Sequence, residues 1–227
     1  VSNDSEIDHL KTLMLHYDIW QKSGPDLNFD DLQSSLNQIK TNPVMIQEIV
    51  EVVDYCLDRI DFIEKPINLG FPFPLKIHSR YNRNQILVAI RRHKFDKAKP
   101  SREGASYEKS INTEALFVTL KKSDKDYSPT TMYEDYALNK NLFHWQTQNS
   151  ASPNTPKGQA YIQSEKNVLL FVREQAKDEY GFTMGYVFLG EAIFQSHSGE
   201  KPMNIEWKLE EPMPPYILKE SQKLAVG

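Results

Sequence analysis

Apolar residues recur at helical spacing through the first 65 positions. Ile7, Leu10, Met14 and Tyr17 make one stripe behind possible caps at Asp4 or Ser5, and Gly24-Pro25 ends it. Phe29, Leu32, Leu36 and Ile39 repeat the pattern. Asn42-Pro43 then supplies a cap followed by proline at the first helical position. The helix it opens carries Met45, Ile49, Val52, Cys56 and Ile60 on one face, which makes Cys56 a small buried hydrophobe. Three prolines and a glycine between Pro66 and Pro74 form a boundary that no helix crosses. Asn82 to His93 reads as a basic amphipathic helix, with Ile86, Leu87 and Ile90 inward.

From position 115 the period changes to that of strands. Ala115–Leu120 and Val168–Val172 are short continuous apolar runs. Phe182–Leu189 and Glu191–His197 read as paired strands broken at Gly190. Met203, Ile205, Trp207 and Leu209 alternate on one face. The segments around Tyr133 and Trp145 also look like short strands, and Ser150–Gly158 reads as a long flexible loop of the kind that enters a groove. The expected architecture is α+β. A small helical bundle over 1–68 precedes a domain over 69–227, whose five or more antiparallel strands close or half-close into a barrel. There is no internal repeat.

Charge alters this picture more than overall composition does. The net charge of −4 is unevenly spread. Residues 1–68 hold 13 Asp/Glu against 5 Lys/Arg, whereas 69–227 hold the remaining 18 of 31 acidic and 22 of 27 basic residues. Eight of those basic residues lie between Lys76 and Lys99: Lys76, Arg80, Arg83, Arg91, Arg92, Lys94, Lys97 and Lys99, against Asp96 alone. Such asymmetry suits a polyanion partner, or simply a solvated helix face. The single cysteine excludes an internal disulfide and fits a reducing cytoplasm. No apolar run approaches a membrane span. The start, Val1-Ser2-Asn3-Asp4, has no signal-peptide character and lacks an initiator Met, as a fragment or processed product would.

Several chemistries find no support. There is no Gly-x-x-x-x-Gly-Lys-Ser/Thr loop for ATP, no His-x-Lys-x-x-x-x-Asp motif of a phospholipase-D-type nuclease and no Gly-x-Ser-x-Gly elbow. The six histidines show no ligand spacing, so neither a metal nor another cofactor is expected. Glu134, Asp135 and His197 can be drawn as an acid–base set, as chance allows in any chain of this length. The expectation is a binding module without catalytic residues.

The densest candidate chemistry is Tyr133-Glu134-Asp135-Tyr136 followed by Phe143-His144-Trp145-Gln146. Two large aromatics stand twelve residues apart, with carboxylates and amides between and beside them. Aromatic faces stack bases, and a carboxylate accepts from an exocyclic amine. The same rings would serve equally as barrel core, since aromatics favour strands. The polar company of the rings, the loop that follows and the basic Lys121-Lys122 before them favour a nucleobase site.

Leu116 to Asn149 resembles the SET-and-RING-associated (SRA) domains that bind 5-methylcytosine. In them a Tyr-Glu-Asp-Asp segment is followed, twelve residues after its Tyr, by a second stacking aromatic. Tyr133-Glu134-Asp135 matches the first segment, and Trp145 stands in place of the second Tyr. The family's base-reading Asp falls on Tyr136, so that role would pass to Asp135 or Glu134. Phe117–Ser123, Tyr127–Tyr136, Phe143–Gln146, Leu170–Glu174 and Gly199–Met203 also resemble the C-terminal module of SauUSI-type Type IV restriction endonucleases. The resemblance implies an SRA-like (PUA-like) twisted antiparallel barrel with flanking helices. Its partner would be double-stranded DNA carrying 5-methylcytosine or 5-hydroxymethylcytosine. The base pocket would hold Tyr133, Glu134, Asp135, Tyr136, Trp145 and Gln146. Phosphate contacts would come from Lys76, Arg80, Arg83, Arg91, Arg92, Lys121, Lys122 and Lys157. Residues 1–68 would couple the module to helicase and phospholipase-D-type nuclease domains upstream in the same polypeptide.

Overall fold

The computed structural model describes residues 3–20, 29–59, 65–95, 97, 103–121, 135–148 and 151–225. The Gly24-Pro25 stop, Tyr133, Glu134 and Lys122 lie outside them. Among the described residues there are six helices and a mixed eight-stranded sheet, so the class is α+β. Contacts divide the chain into two compact units, one of Val1–Leu75 with Asn84–Pro100, the other of Lys76–Arg83 with Ser101–Gly227.

The first unit holds α1 (Asn3–Trp20), α2 (Leu32–Lys40), α3 (Pro43–Leu57) and most of α4 (Arg83–Ala89). The Asn42-Pro43 start acts as expected, with Asn42 accepting from the Met45 N–H at 3.1 Å; α2 is capped in the same way by Asp31, which accepts from the Ser34 N–H at 2.7 Å. The core takes Leu10, Leu13, Met14 and Tyr17 from α1, Ile39 from α2 and Ile86–Ile90 around α4. Tyr17 stacks on His93 at 4.9 Å and donates to the Lys94 carbonyl at 2.7 Å. Two expectations are corrected here. The helix expected over 82–93 stops at Ala89, because Arg91 turns left-handed at φ 62° and the Arg92 and His93 amides fold back onto Leu87 O. Cys56 is exposed and α3 buries none of its residues, so its apolar face is present but uncovered.

The second unit is built on β1 (Arg80–Tyr81), β2 (Ala105–Glu108), β3 (Thr113–Lys121), β4 (Tyr136–Asn139), β5 (Leu142–Gln146), β6 (Asn167–Gln175), β7 (Tyr186–Ser198) and β8 (Asn204–Leu209). They run in the order β2-β3-β6-β7-β8-β5-β4, with β1 beside β7. The all-antiparallel expectation fails at one pair. β3 and β6 are parallel, because the chain between them makes the β4–β5 hairpin and then α5 (Pro156–Ile162) before returning. The two strands expected either side of Gly190 are one. Gly190, at φ 99°, makes a bulge opposite Leu170–Phe171, and β7 continues from partner β6 to partner β8. The loop expected over 150–158 is also corrected. Ala151 and Ser152 are buried, and Thr155 caps α5 by accepting from the Gly158 N–H at 3.2 Å. A final helix, α6 (Pro215–Ala225), sends Ser221 to receive the Ala137 N–H. The main core joins Leu116, Val118, Leu170 and Val172 to Phe143, Trp145, Tyr161, Ile205 and Trp207. No described helix is long and apolar enough to cross a membrane.

Candidate nucleic-acid interface

The β4–β5 hairpin brings the two halves of the aromatic–carboxylate cluster together. Tyr136 pairs with His144, and the Gln146 backbone N–H donates to Asp135 Oδ1 at 3.0 Å. Strand alternation then sorts the cluster onto two faces. Phe143 and Trp145 point into the core, whereas Leu142, His144 and Gln146 are half-buried on the other side.

On the inner face Trp145 is 6% exposed. It meets Tyr161 edge-on at 5.6 Å and Trp207 at 6.3 Å, and Tyr161 meets Trp207 at 5.8 Å, also edge-on. Beneath this cluster is a buried ion pair between Lys166 and Glu114, with the Lys166 ammonium 4.1 Å from the Tyr161 ring centre. Burial first, and the Glu114 carboxylate second, hold the Tyr161 phenol well above its ordinary range, so it stays neutral.

The outer face is polar and continuous across four strands. One row runs Tyr136, His144, Glu206, Ser196, and the next runs Gln146, Asn204, Ser198. The Tyr136 and His144 rings stack at 4.6 Å and 17°. Gln146 Nε2 donates to Asn204 Oδ1 at 3.0 Å, and Ser196 Oγ donates to Glu206 Oε2 at 2.8 Å. Stacking rings beside amides and a carboxylate are the groups that hold and read a base edge. The expected pocket left out His144, although it stood in the candidate stretch, and sequence reasoning passed over Asn204, Glu206 and Ser196; the alternation of β5, β7 and β8 was the signal that pointed to them.

Of the expected pocket, then, Asp135, Tyr136, Trp145 and Gln146 share one hairpin, but Trp145 and Tyr136 occupy opposite faces. Tyr133 and Glu134 lie outside the described residues. The expected phosphate contacts are dispersed. Arg91 and Arg92 belong to the first unit, and Arg91 pairs with Glu6 at 2.6 Å. In the second unit Arg80 forms a two-pronged pair with Glu174 at 2.7 and 2.9 Å. Arg83 lies 3.9 Å over the Phe117 ring and donates to Glu103 O. Lys121 meets Glu220 at 2.7 Å. Lys76 is exposed, and Lys157 is half-buried on α5 rather than on a loop. Among the described residues no His/Cys/Asp/Glu group could hold a metal ion.

The chain belongs to the family described as a domain of unknown function, DUF3427, which matches residues 75–220. No curated protein matches it. Among solved structures it is similar to Arabidopsis thaliana SUVH6, crystallised in complex with SAM, at 11% identity and a TM-score of 0.43, covering 96% of this chain and 42% of that one. It is also similar to the 5-hydroxymethylcytosine-specific restriction enzyme AbaSI, at 15% identity and a TM-score of 0.31, covering 83% of this chain and 58% of that one. The chain thus spans less than two thirds of either protein's length.

Proposed function

We propose that this chain is a DNA-recognition module for duplexes carrying 5-methylcytosine or its hydroxymethyl form, on an SRA-like barrel, and that it binds without cutting. The observation that carries the reading is the Gln146-to-Asp135 hydrogen bond. It joins Asp135 to the Phe-His-Trp-Gln segment, so that a member of each half of the resemblance meets at one hairpin. A modified cytosine would leave the stack and meet aromatic faces there, each stacked base contributing about 1–3 kcal/mol. That is on the order of the few kcal/mol needed to extract it. A carboxylate, Asp135 or Glu134, would accept from the amine on C4, and a small apolar recess would take the methyl group, worth about 1 kcal/mol. Lysines and arginines would add salt-dependent phosphate contacts. In the parent polypeptide, residues 1–68 would couple this module to upstream helicase and nuclease domains.

A second reading, a protein-interaction module whose aromatics are core, is favoured by the burial of Trp145 and by the open apolar face of α3. Binding of matched duplexes with and without one 5-methylcytosine separates the two. The modified duplex is expected to bind several-fold tighter; equal affinity would sink the methyl-reading claim, and no binding to either would leave the interaction module. Incubation with Mg²⁺ is expected to leave both duplexes uncut.

A further inference from the structure

The polar outer face of the hairpin carries one group that can only accept. Tyr136, His144, Ser196, Gln146, Asn204 and Ser198 all offer a donor, and Glu206 does not. Glu206 is thus the residue on this face able to separate an amine from a keto oxygen. Cytosine presents an amine at C4, where thymine presents an oxygen. The carboxylate is also held. Ser196, directly opposite on β7, donates its hydroxyl to Oε2 at 2.8 Å, and Oε1 has no partner among the described residues. Asp135 is placed the other way: it is 8% exposed, and its Oδ1 takes the Gln146 N–H.

The two rows flanking Glu206 differ in character. On one side the Gln146 and Asn204 amides bond each other. On the other, Lys208 lies between Leu142 on β5 and Ile193 on β7. Leu142 is half-buried and Ile193 is 49% exposed, so this row offers apolar surface on both sides of a cation. C5 of a cytosine adjoins C4, so a methyl group there shares an edge with the amine. With the amine on Glu206, that methyl group belongs on the apolar row and not among the amides. Diagonal neighbours on one sheet face, about 7–8 Å apart, are within reach of a single ring edge and long side chains. Lys208 offsets the repulsion between the carboxylate and DNA phosphate.

We propose that Glu206 is the specificity-determining residue of this face. It accepts from the C4 amine of an extrahelical cytosine stacked against the Tyr136–His144 rings, and Ile193 borders the C5-methyl group. Ser196 is a positioning residue that aims the carboxylate. The proposal rests on the modified-cytosine reading above and moves its acceptor from Asp135 to Glu206.

The test uses the full chain and three duplexes that differ at one position: 5-methylcytosine, cytosine or thymine, each opposite guanine. Thymine carries the same methyl group with an oxygen in place of the amine, and its mispair releases the base more easily. A preference for 5-methylcytosine over thymine therefore reports the amine contact and not the cost of extraction. The wild type is expected to show that preference at about tenfold. Glu206→Gln, which puts a donor within reach of the oxygen, is expected to abolish it. The same change removes a negative charge, so binding to the unmodified duplex should hold or rise. Ser196→Ala is expected to lower the preference in the same direction, and it carries the readout should Glu206→Gln not fold. Ile193→Ala is expected to lose the several-fold preference for 5-methylcytosine over cytosine while keeping the rejection of thymine. A thymine rejection that survives Glu206→Gln, whether or not overall affinity falls, overturns the proposal. A wild type that rejects thymine but binds cytosine and 5-methylcytosine alike sinks the methyl reading and leaves the Glu206 contact standing. A wild type that binds no DNA overturns both.

Discussion

Replacing Trp145 by alanine decides what that ring is for. The indole is 6% exposed, and it is packed edge-on against Tyr161 and beside Trp207 in the main core. Truncating a buried aromatic to alanine costs about 3–5 kcal/mol, because transfer energy is lost and a cavity remains. The edge-to-face contact with Tyr161 is worth about 0.5–1.5 kcal/mol beyond its area, so the upper half of that range is expected. For a domain of this size, each kcal/mol moves the melting midpoint by roughly 2–4 °C, giving a drop of about 8–20 °C. Trp145→Phe keeps a ring in the cavity and is expected to lose less than half as much.

The contrasting variant is His144→Ala, one residue along and on the other face of the sheet. It loses a half-buried ring stacked on Tyr136, which costs about 1 kcal/mol. Thermal denaturation followed by circular dichroism measures both variants, and duplex binding is measured on the folded fraction. The expected pattern is a large stability loss for Trp145→Ala and a binding loss of about 1–3 kcal/mol for His144→Ala. A shift of less than about 2–4 °C for Trp145→Ala, accompanied by lost DNA binding, would refute the core assignment and make Trp145 the stacking wall.

Removing one member of the buried Glu114–Lys166 pair, as in Lys166→Met, is expected to cost about 3–5 kcal/mol by stranding a carboxylate that is 4% exposed; adding Glu114→Gln should recover much of that in a chemical-denaturation cycle. In the first unit, burial holds both His16 and His93 below the ordinary histidine value, the Arg92 charge adding at His93. Each takes up a proton less readily when folded than when unfolded. Stability is therefore full above the ordinary value near 6.5 and falls as pH drops through it. Melting curves at pH 7.5 and 5.5 should show this, with a smaller difference in His93→Gln. Gly158→Ala would drive its Cβ to 1.9 Å from the Ser152 carbonyl oxygen, so this change alone should unfold the start of α5, seen as a lower midpoint and faster proteolysis there.

The elements legible in the sequence are those whose local signals agree with their surroundings. Asn42-Pro43 opens α3, and the uninterrupted runs 115–120 and 168–172 became β3 and β6, buried along most of their length. Gly190 misled because a glycine that ends a strand and one that bends it look alike; the second requires partners on both sides, and those are distant in sequence. Ser150–Gly158 misled through composition. Thr155-Pro156 is a cap with proline at the first helical position, yet Gly158 hid the helix, and its reason is the approach of the Ser152 carbonyl. For α3, amphipathic spacing identified the apolar face but carried no information on what lies against it. At the candidate site, short strands around Tyr133 and Trp145 were legible, whereas the hairpin that pairs Tyr136 with His144, and the side each ring takes, were not drawn from them. Phe143 and Trp145 share parity and face Trp207 and Ile205 on β8, and that pairing commits Trp145 inward.

That parity constrains any account of base reading. Tyr136 and Trp145 occupy opposite faces of one two-stranded ribbon, so no single base touches both rings. A base entering beside Trp145 and Asp135 must displace the indole from Tyr161 and Trp207 and wet a core that now excludes water, at a cost comparable to the alanine truncation. A base approaching Tyr136 and His144 meets rings already stacked and half-exposed, with Gln146, Asn204 and Glu206 beside them and no core to open. The stacking energy of one base, about 1–3 kcal/mol, is too small to offset the first cost and ample for the second. On energetic grounds a base would contact the outer face of this hairpin, where Glu206 rather than Asp135 is the carboxylate at hand, with Trp145 left in the core behind it.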